Sequence, residues 1–392
     1  MTEKEKAVPG TTEQPLKEHN EGNNFSDKSQ SIFDKSQTNI DPQGTNGRNV
    51  SFSPVEMVAK ITSDLTKAMT PPPGLLNVKP VNTWVNEAKE QPIPSLLFSG
   101  LWYETDLCIL FGDTNTGKSI LAVQIADSIS RGEPVPGFRF EAERQRVLYC
   151  DFELTKKQFE HRYSENYSNH YKFSPLFDRA EINPEMGLPK EFKTIEDYLM
   201  FELERIISTN GYKVLIVDNL TYLRNGTETA RDALPLMKIL KQLKNKYSLS
   251  ILVLAHTPKR DYTKPISRND LQGSKMLMNF CDSSFAIGES THDKGIRYLK
   301  QIKSRFTEIM YDADNIIICQ ISKPDNFLGF VFTGYGSEYE HLREVSAENK
   351  EALMVQIREW KNQGLTNTEI ARKVGKSEGA IRNWLKNDNK TE

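Results

Sequence analysis

Cysteine is scarce. Four cysteines stand in 392 residues, Cys108, Cys150, Cys281 and Cys319, far apart and mostly inside apolar runs. They form no C-x-x-C pair and no His/Cys cluster, so no zinc site is written into the spacing and buried apolar thiols are expected. A dominant charge is missing too. With 51 basic and 53 acidic residues the net charge is −2, so any contact with nucleic acid must come from local patches. No run approaches the roughly 18 apolar residues a membrane helix needs, and the N-terminus is polar without an apolar signal core. A cytoplasmic protein with no membrane association is expected. The length suffices for one large α/β domain with a smaller module or a disordered arm.

The apolar run Leu107, Cys108, Ile109, Leu110, Phe111 leads into Gly112, Asp113, Thr114, Asn115, Thr116, Gly117, Lys118 and Ser119. A helical pattern, Ile120 to Ala126, follows at once. Strand, G-x-x-x-x-G-K-S and helix together predict a phosphate-binding loop. The glycines let backbone N–H groups turn inward at the positive end of the helix. Lys118 can then reach the β- and γ-phosphates of ATP, and the Ser119 hydroxyl can hold Mg²⁺.

Around this motif the chain divides by composition. Residues 1–52 are polar and are expected to be disordered. Residues 53–84 hold a short helical pattern ended by Pro71, Pro72, Pro73 and Gly74. Residues 85–336 should form the ATPase domain, 337–346 a linker, and 347–392 a second module. After the loop, apolar runs end at Asp151, Asp218 and His256, with weaker ones at 283–287 and 296–302, and the spacers 195–209 and 230–246 have helical periodicity. Apolar strands alternating with helices predict a mostly parallel central sheet flanked by helices. Residues 315–321 and 329–332 read as hairpin strands near its edge.

Acidic residues at strand ends face the crevice where open α/β sheets bind ligands. Asp218 is placed to support Mg²⁺ with Ser119, or else caps the next helix. Glu153, after Asp151 and Phe152, could polarise the attacking water, or form a surface salt bridge. His256 could hydrogen-bond the γ-phosphate. The loop behind it carries Lys259, Arg260, Lys264, Arg268 and Lys275 with Tyr262 among them. That composition suits a phosphate backbone, and equally a solvated loop.

In order and context, Lys118, Glu153, Asp218 and His256 resemble the RecA-like core of hexameric replicative helicases, nearest the plasmid RepA-type branch of RepA-like AAA ATPases. The resemblance spans residues 85–325. It implies a catalytic base at Glu153, metal support at Asp218, a γ-phosphate sensor at His256, and assembly into a ring or filament. It also implies basic residues supplied by a neighbouring copy, for which Lys303 and Arg305 form a K-x-R pair after the last core strand. Gln272 stands where that branch carries an arginine, which shifts the expected finger to Arg305.

The C-terminal pattern predicts three short helices. Leu353, Ile357 and Trp360 share a face of the first; Ile370, Ala371 and Val374 lie on the second; Ile381, Trp384 and Leu385 point inward from the third. Gly375 marks the turn before the last helix, the layout of a helix-turn-helix. Residues 365–385 resemble resolvase-type and sigma-factor-type domains. Arg382 and Asn383 suit guanine and adenine edges, while Lys376 and Lys386 suit phosphates. A small protein-interaction module would share this layout.

The expectation is an ATP-hydrolysing, DNA-associated homo-oligomeric motor, a helicase or translocase similar to those of bacterial plasmids and mobile elements. Single-stranded DNA would pass the core, and duplex would meet the helix-turn-helix. The rival is an ATP-switched DNA-binding regulator or mobilisation adaptor that does not unwind. A small-molecule P-loop kinase is disfavoured by Glu153, His256 and the appended helices.

Overall fold

The computed structural model describes residues 76–219, 233–258, 260–271, 274–344 and 347–388. The arm at 1–52 and the helix expected before Pro71 lie outside them. The chain divides into two units, residues 1–85 and 86–392. The first carries the start of helix α1 (Val81–Lys89), and its Lys79 ammonium lies 5.0 Å from the Trp84 ring centre.

The second unit opens with a small ribbon, β1 (Leu96–Phe98) and β2 (Trp102–Tyr103). There follow β3 (Leu107–Gly112), α2 (Lys118–Arg131), β4 (Val147–Asp151), α3 (Lys156–Arg162), a second ribbon of β5 (Ser164–Glu165) and β6 (Asn169–His170), and β7 (Phe177–Ala180). Next come α4 (Ile195–Asn210), β8 (Val214–Asp218), α5 (Ala233–Tyr247), β9 (Ser250–His256), α6 (Ser274–Phe280), β10 (Ser283–Glu289), β11 (Ile296–Lys303), β12 (Ile316–Ser322) and β13 (Gly329–Gly336). Helices α7 (Ala347–Asn362), α8 (Asn367–Val374) and α9 (Glu378–Asp388) end the described chain.

Nine strands form one sheet in the order β13-β12-β11-β10-β3-β9-β8-β4-β7. Strands β10 through β7 run parallel, while β11, β12 and β13 add an antiparallel extension. Residues 290–295 are too few for a crossover, so β11 returns beside β10 as a hairpin rather than joining the parallel series. Both faces are covered, which is why the strands are apolar at successive positions. Ile109, Phe111, Leu215, Val217 and Val253 pack with α4 and α5. Leu110, Ile216, Leu252 and Leu254 pack with α2 on the opposite face. The architecture is the RecA-like P-loop fold. Edge strand β7 was not foreseen: its partly buried, mixed sequence Phe177-Asp-Arg-Ala180 lacks the apolar signature of the central strands.

Helices α7, α8 and α9 close over their own small core of Ile357, Ile370, Val374 and Ile381, with Trp360, Trp384 and Leu385 packed against it. Thr366 and Glu369 cap α8 reciprocally. Residues 337–346, expected as a linker, are instead tied down within the described part. A 3₁₀ turn at Glu338–His341 follows β13, and the fully buried Glu338 pairs with Lys300 at 2.5 Å. Its other oxygen accepts from the Ile266 amide at 2.7 Å and the Tyr298 hydroxyl at 3.2 Å.

Candidate nucleotide site

Strand β3 ends at Gly112, and α2 begins at Lys118 with no side-chain cap on its first turn. The uncapped amides face the loop, as anion binding at a helix N-terminus requires. Gly117 holds φ +98°, and a Cβ there would lie 2.7 Å from Ile321 Cδ1. Only glycine meets both demands. Lys118 is buried, and its ammonium donates to the carbonyls of Gly112 at 3.0 Å and Asp113 at 2.8 Å. Burial lowers its pKa, against the pull of Asp218, Glu153 and Asp113.

The parallel strands bring the other candidates to the same edge. Asp151 and Asp218 are register partners on β4 and β8, and Gly112 pairs with His256 across β3 and β9. The two aspartates nevertheless differ. Asp151 accepts from Arg179 Nε at 2.9 Å and from the amides of Glu153 and Leu154, so it orders the turn that presents Glu153. Asp218 accepts from the Tyr149 hydroxyl at 2.5 Å. Its carboxyl is pushed up to about 6 by burial, opposed by hydrogen bonds from Ser119 and Tyr149. A buried carboxylate beside a hydroxyl is an oxygen donor set that suits Mg²⁺, which takes few protein ligands and keeps its waters. Ser119 and Asp218 would hold that ion.

His256 Nδ1 lies 3.3 Å from the Lys118 ammonium, and Nε2 lies 3.5 Å from a Glu153 oxygen. The tautomer that serves both has Nδ1 accepting from Lys118 and Nε2–H facing Glu153. Contact with His256 is the largest influence on Glu153 and lowers its pKa. Asn219, absent from the sequence reading, donates its amide to Glu153 and also lies 3.2 Å from His256 Nε2. Its one signal is position: the polar residue after a buried strand-end aspartate must face the same crevice.

The basic loop is only partly displayed. Lys264 and Arg268 are exposed, whereas Lys259, the side chain of Lys275, and Gln272 lie outside what is described. Arg260 corrects the expectation of a DNA contact: it is buried, its Nε 3.5 Å from Asp113 and its guanidinium over the Tyr262 ring. A cation so enclosed cannot present itself to a phosphate backbone. Lys303 and Arg305 lie toward the opposite end of the sheet, since Lys303 pairs with Ser284, itself level with Ile109. Lys303 donates to the carbonyls of Met278 and Cys281, and Arg305 to the Asn279 carbonyl at 2.9 Å and Asp282 at 3.3 Å. Neither is the partnerless surface charge it could have been, and neither reaches its own phosphate loop. On α9, Arg382, Asn383 and Lys386 are exposed, but Lys376 is half-buried.

Residues 73–261 match the model of a family described as an AAA domain. Over those residues the chain is similar to AAA domains, and the fold around the 112–119 loop is that of a P-loop domain. Among solved structures, a KaiC-like protein from the hyperthermophilic archaeon Pyrococcus horikoshii is similar at 12% identity and a TM-score of 0.41, over 60% of this chain and 93% of that one. At that similarity it carries no functional argument. No curated protein sequence matches the chain. Among the described residues, no helix is long and apolar enough to cross a membrane.

Proposed function

We propose that this AAA-type domain hydrolyses ATP and drives a DNA-associated homo-oligomer, a helicase or translocase of the RepA-like kind serving plasmid or mobile-element DNA. The observation that carries the hydrolytic reading is the cluster Lys118, Glu153, Asn219 and His256 at the carboxyl ends of neighbouring parallel strands. A nucleotide-binding switch needs the lysine. Catalysed phosphoryl transfer, to water or to another acceptor, needs in addition a carboxylate held in place beside it.

The chemistry follows from these groups. Lys118 swings from the Gly112 and Asp113 carbonyls to the β- and γ-phosphates. Mg²⁺, when bound, neutralises charge on the phosphate oxygens. Asn219 and the Nε2–H of His256 aim the Glu153 carboxylate, which polarises the attacking water. Losing Lys118 to the phosphates changes what His256 Nδ1 faces, and so passes the state of the site to the loop behind β9. Arg305, at the far end of the sheet, would serve the site of a neighbouring copy, where a guanidinium stabilises the transferring phosphoryl group.

Steady-state hydrolysis with and without single-stranded DNA, for wild type and Glu153→Gln, tests the reading. Nucleotide binding retained with turnover lowered at least about 100-fold is expected; retained turnover removes Glu153 from the mechanism. If forked DNA is never separated while hydrolysis proceeds, the ATP-switched regulator stands in place of the helicase. One observation favours that rival: the loop after His256 lies, at Lys264 and Pro265, against the turn at Gly375 between the C-terminal helices.

A further inference from the structure

The loop running from Thr257 to Ile266 is fastened on two sides. On one side is Asp113, the second residue of the phosphate loop. Its carboxylate accepts from the Thr257 hydroxyl and, at 2.9 Å, from the Tyr262 hydroxyl. Arg260 closes the group, 3.5 Å from Asp113, Tyr298 and the Lys264 carbonyl. A single carboxylate thus joins the phosphate cradle to Thr257, Arg260 and Tyr262.

On the other side is the turn between α8 and α9. A Cβ on Gly375 would lie 3.2 Å from Lys264 Cγ and 3.4 Å from Pro265 Cδ, so the turn sits directly on the loop. Residues 375–380 are all half-buried, while Arg382, Asn383 and Lys386 on the same helix are exposed. The carboxylates that act on the Lys376 ammonium are Asp261 and Glu344. A helix-turn-helix enters the major groove with the start of its last helix, so the residues around that start lie nearest the DNA. Here the Lys264–Pro265 segment of the core lies against the start of that surface at Gly375, and Lys376 is half-buried beside it.

We propose that the 375–380 surface has two alternative partners, the Asp261–Pro265 loop of the core and the backbone of duplex DNA, and that Asp113 ties the choice to phosphate binding in the 112–119 loop. Triphosphate draws Lys118 off the Asp113 carbonyl and sets negative charge beside the Asp113 carboxylate. Both loosen the hold on Thr257 and Tyr262, and the turn is freed. The DNA arm of this inference rests on the proposed function; the coupling of the two segments does not. Coupling of this kind commonly changes affinity about 5- to 150-fold, and reciprocally.

The test uses the full chain with a non-hydrolysable ATP analogue and a short mixed-sequence duplex. Duplex affinity should rise at least about fivefold with the analogue, and amide exchange should rise together in 260–266 and 375–380. Tyr262→Phe removes the hydroxyl that links the loop to Asp113. It should keep analogue affinity within about twofold while abolishing most of the coupling. Asp261→Asn, which keeps the acceptor for Thr263, should raise duplex affinity without analogue. Unchanged exchange in 375–380 on analogue binding overturns the proposal, as does a duplex affinity that is unaltered or lowered. Exchange rising in both segments with no duplex bound upholds the coupling and defeats the DNA-reading assignment instead.

Discussion

Replacing Asp218 by asparagine should stabilise this protein and disable it. Asp218 is 1% exposed, and its carboxyl is raised from the usual 3.8 to about 6, chiefly by burial. A carboxyl with a raised folded pKa binds its proton more tightly when folded. Stability therefore declines as pH climbs from about 4 to 6 and is flat above. Two pKa units correspond to about 3 kcal/mol, the cost of holding that charge buried at pH 8. The substituted side chain would carry no charge, and its amide oxygen can still accept from Tyr149 and Ser119. Thermal or urea unfolding without magnesium should show Asp218→Asn more stable by about 2–3 kcal/mol at pH 8, and by about half that at pH 5, where the wild-type carboxyl is mostly protonated in the fold. Magnesium nucleotide should raise the wild-type transition more than that of the variant, because the cation supplies the missing counter-charge. Bound magnesium pulls the Asp218 carboxyl down, so hydrolysis should persist below the pH at which the metal-free protein takes up this proton; Glu153 is held low by His256. A variant that is less stable at pH 8, or one whose advantage does not shrink in acid, would refute the argument that buried charge at Asp218 is the strained element.

Three further outcomes are expected. Gly117→Ala forces a side chain into φ +98° and against Ile321 and Phe330; it should cost about 2–4 kcal/mol in unfolding experiments and abolish nucleotide binding measured by titration. Lys300→Met leaves the fully buried Glu338 without its cation; a loss of about 3–5 kcal/mol is expected, most of it recovered in the double variant with Glu338→Gln. Arg305→Ala should leave nucleotide affinity unchanged and lower turnover by about 1000-fold, and mixing it with Glu153→Gln should restore partial activity, each copy supplying what its neighbour lacks. A mixture as inactive as its components counts against a finger delivered between copies.

The parts of the site readable in the sequence are those fixed by backbone periodicity. Apolar runs buried on both faces announce their strands, and parallel strands align their carboxyl ends. Asp218, His256 and the 112–119 loop therefore had to share an edge before any coordinate was known. The hidden parts depend on side chains crossing between elements distant in sequence. Nothing in a run of letters says that Tyr149 reaches Asp218 from the next strand, or that Asn219 bridges Glu153 and His256. Strand β7 escaped notice because an edge strand need not be apolar on both faces.

Arg260 shows why composition misled. A basic residue in a loop of basic residues reads as surface charge. Yet a charge can be buried where it is paired and hydrogen-bonded. Asp113, far away in sequence, supplies the counter-charge, and Tyr298 and the Lys264 carbonyl lie within reach of the guanidinium's other nitrogens. That pairing changes what the phosphate loop is. By motif alone, Asp113 is one of the variable positions between two glycines. In the fold it is the point where the nucleotide cradle, the loop behind His256 and, through Lys264 and Pro265, the turn at Gly375 meet. If Asp113 served only to shape the cradle, a hydrogen bond within residues 112–119 would suffice. Its carboxylate is spent instead on Thr257, Tyr262 and Arg260, all outside the cradle. A motif position that phosphate binding leaves open here joins the loop to a second segment of the chain, and if ligand binding disturbs that junction the effect must run in both directions.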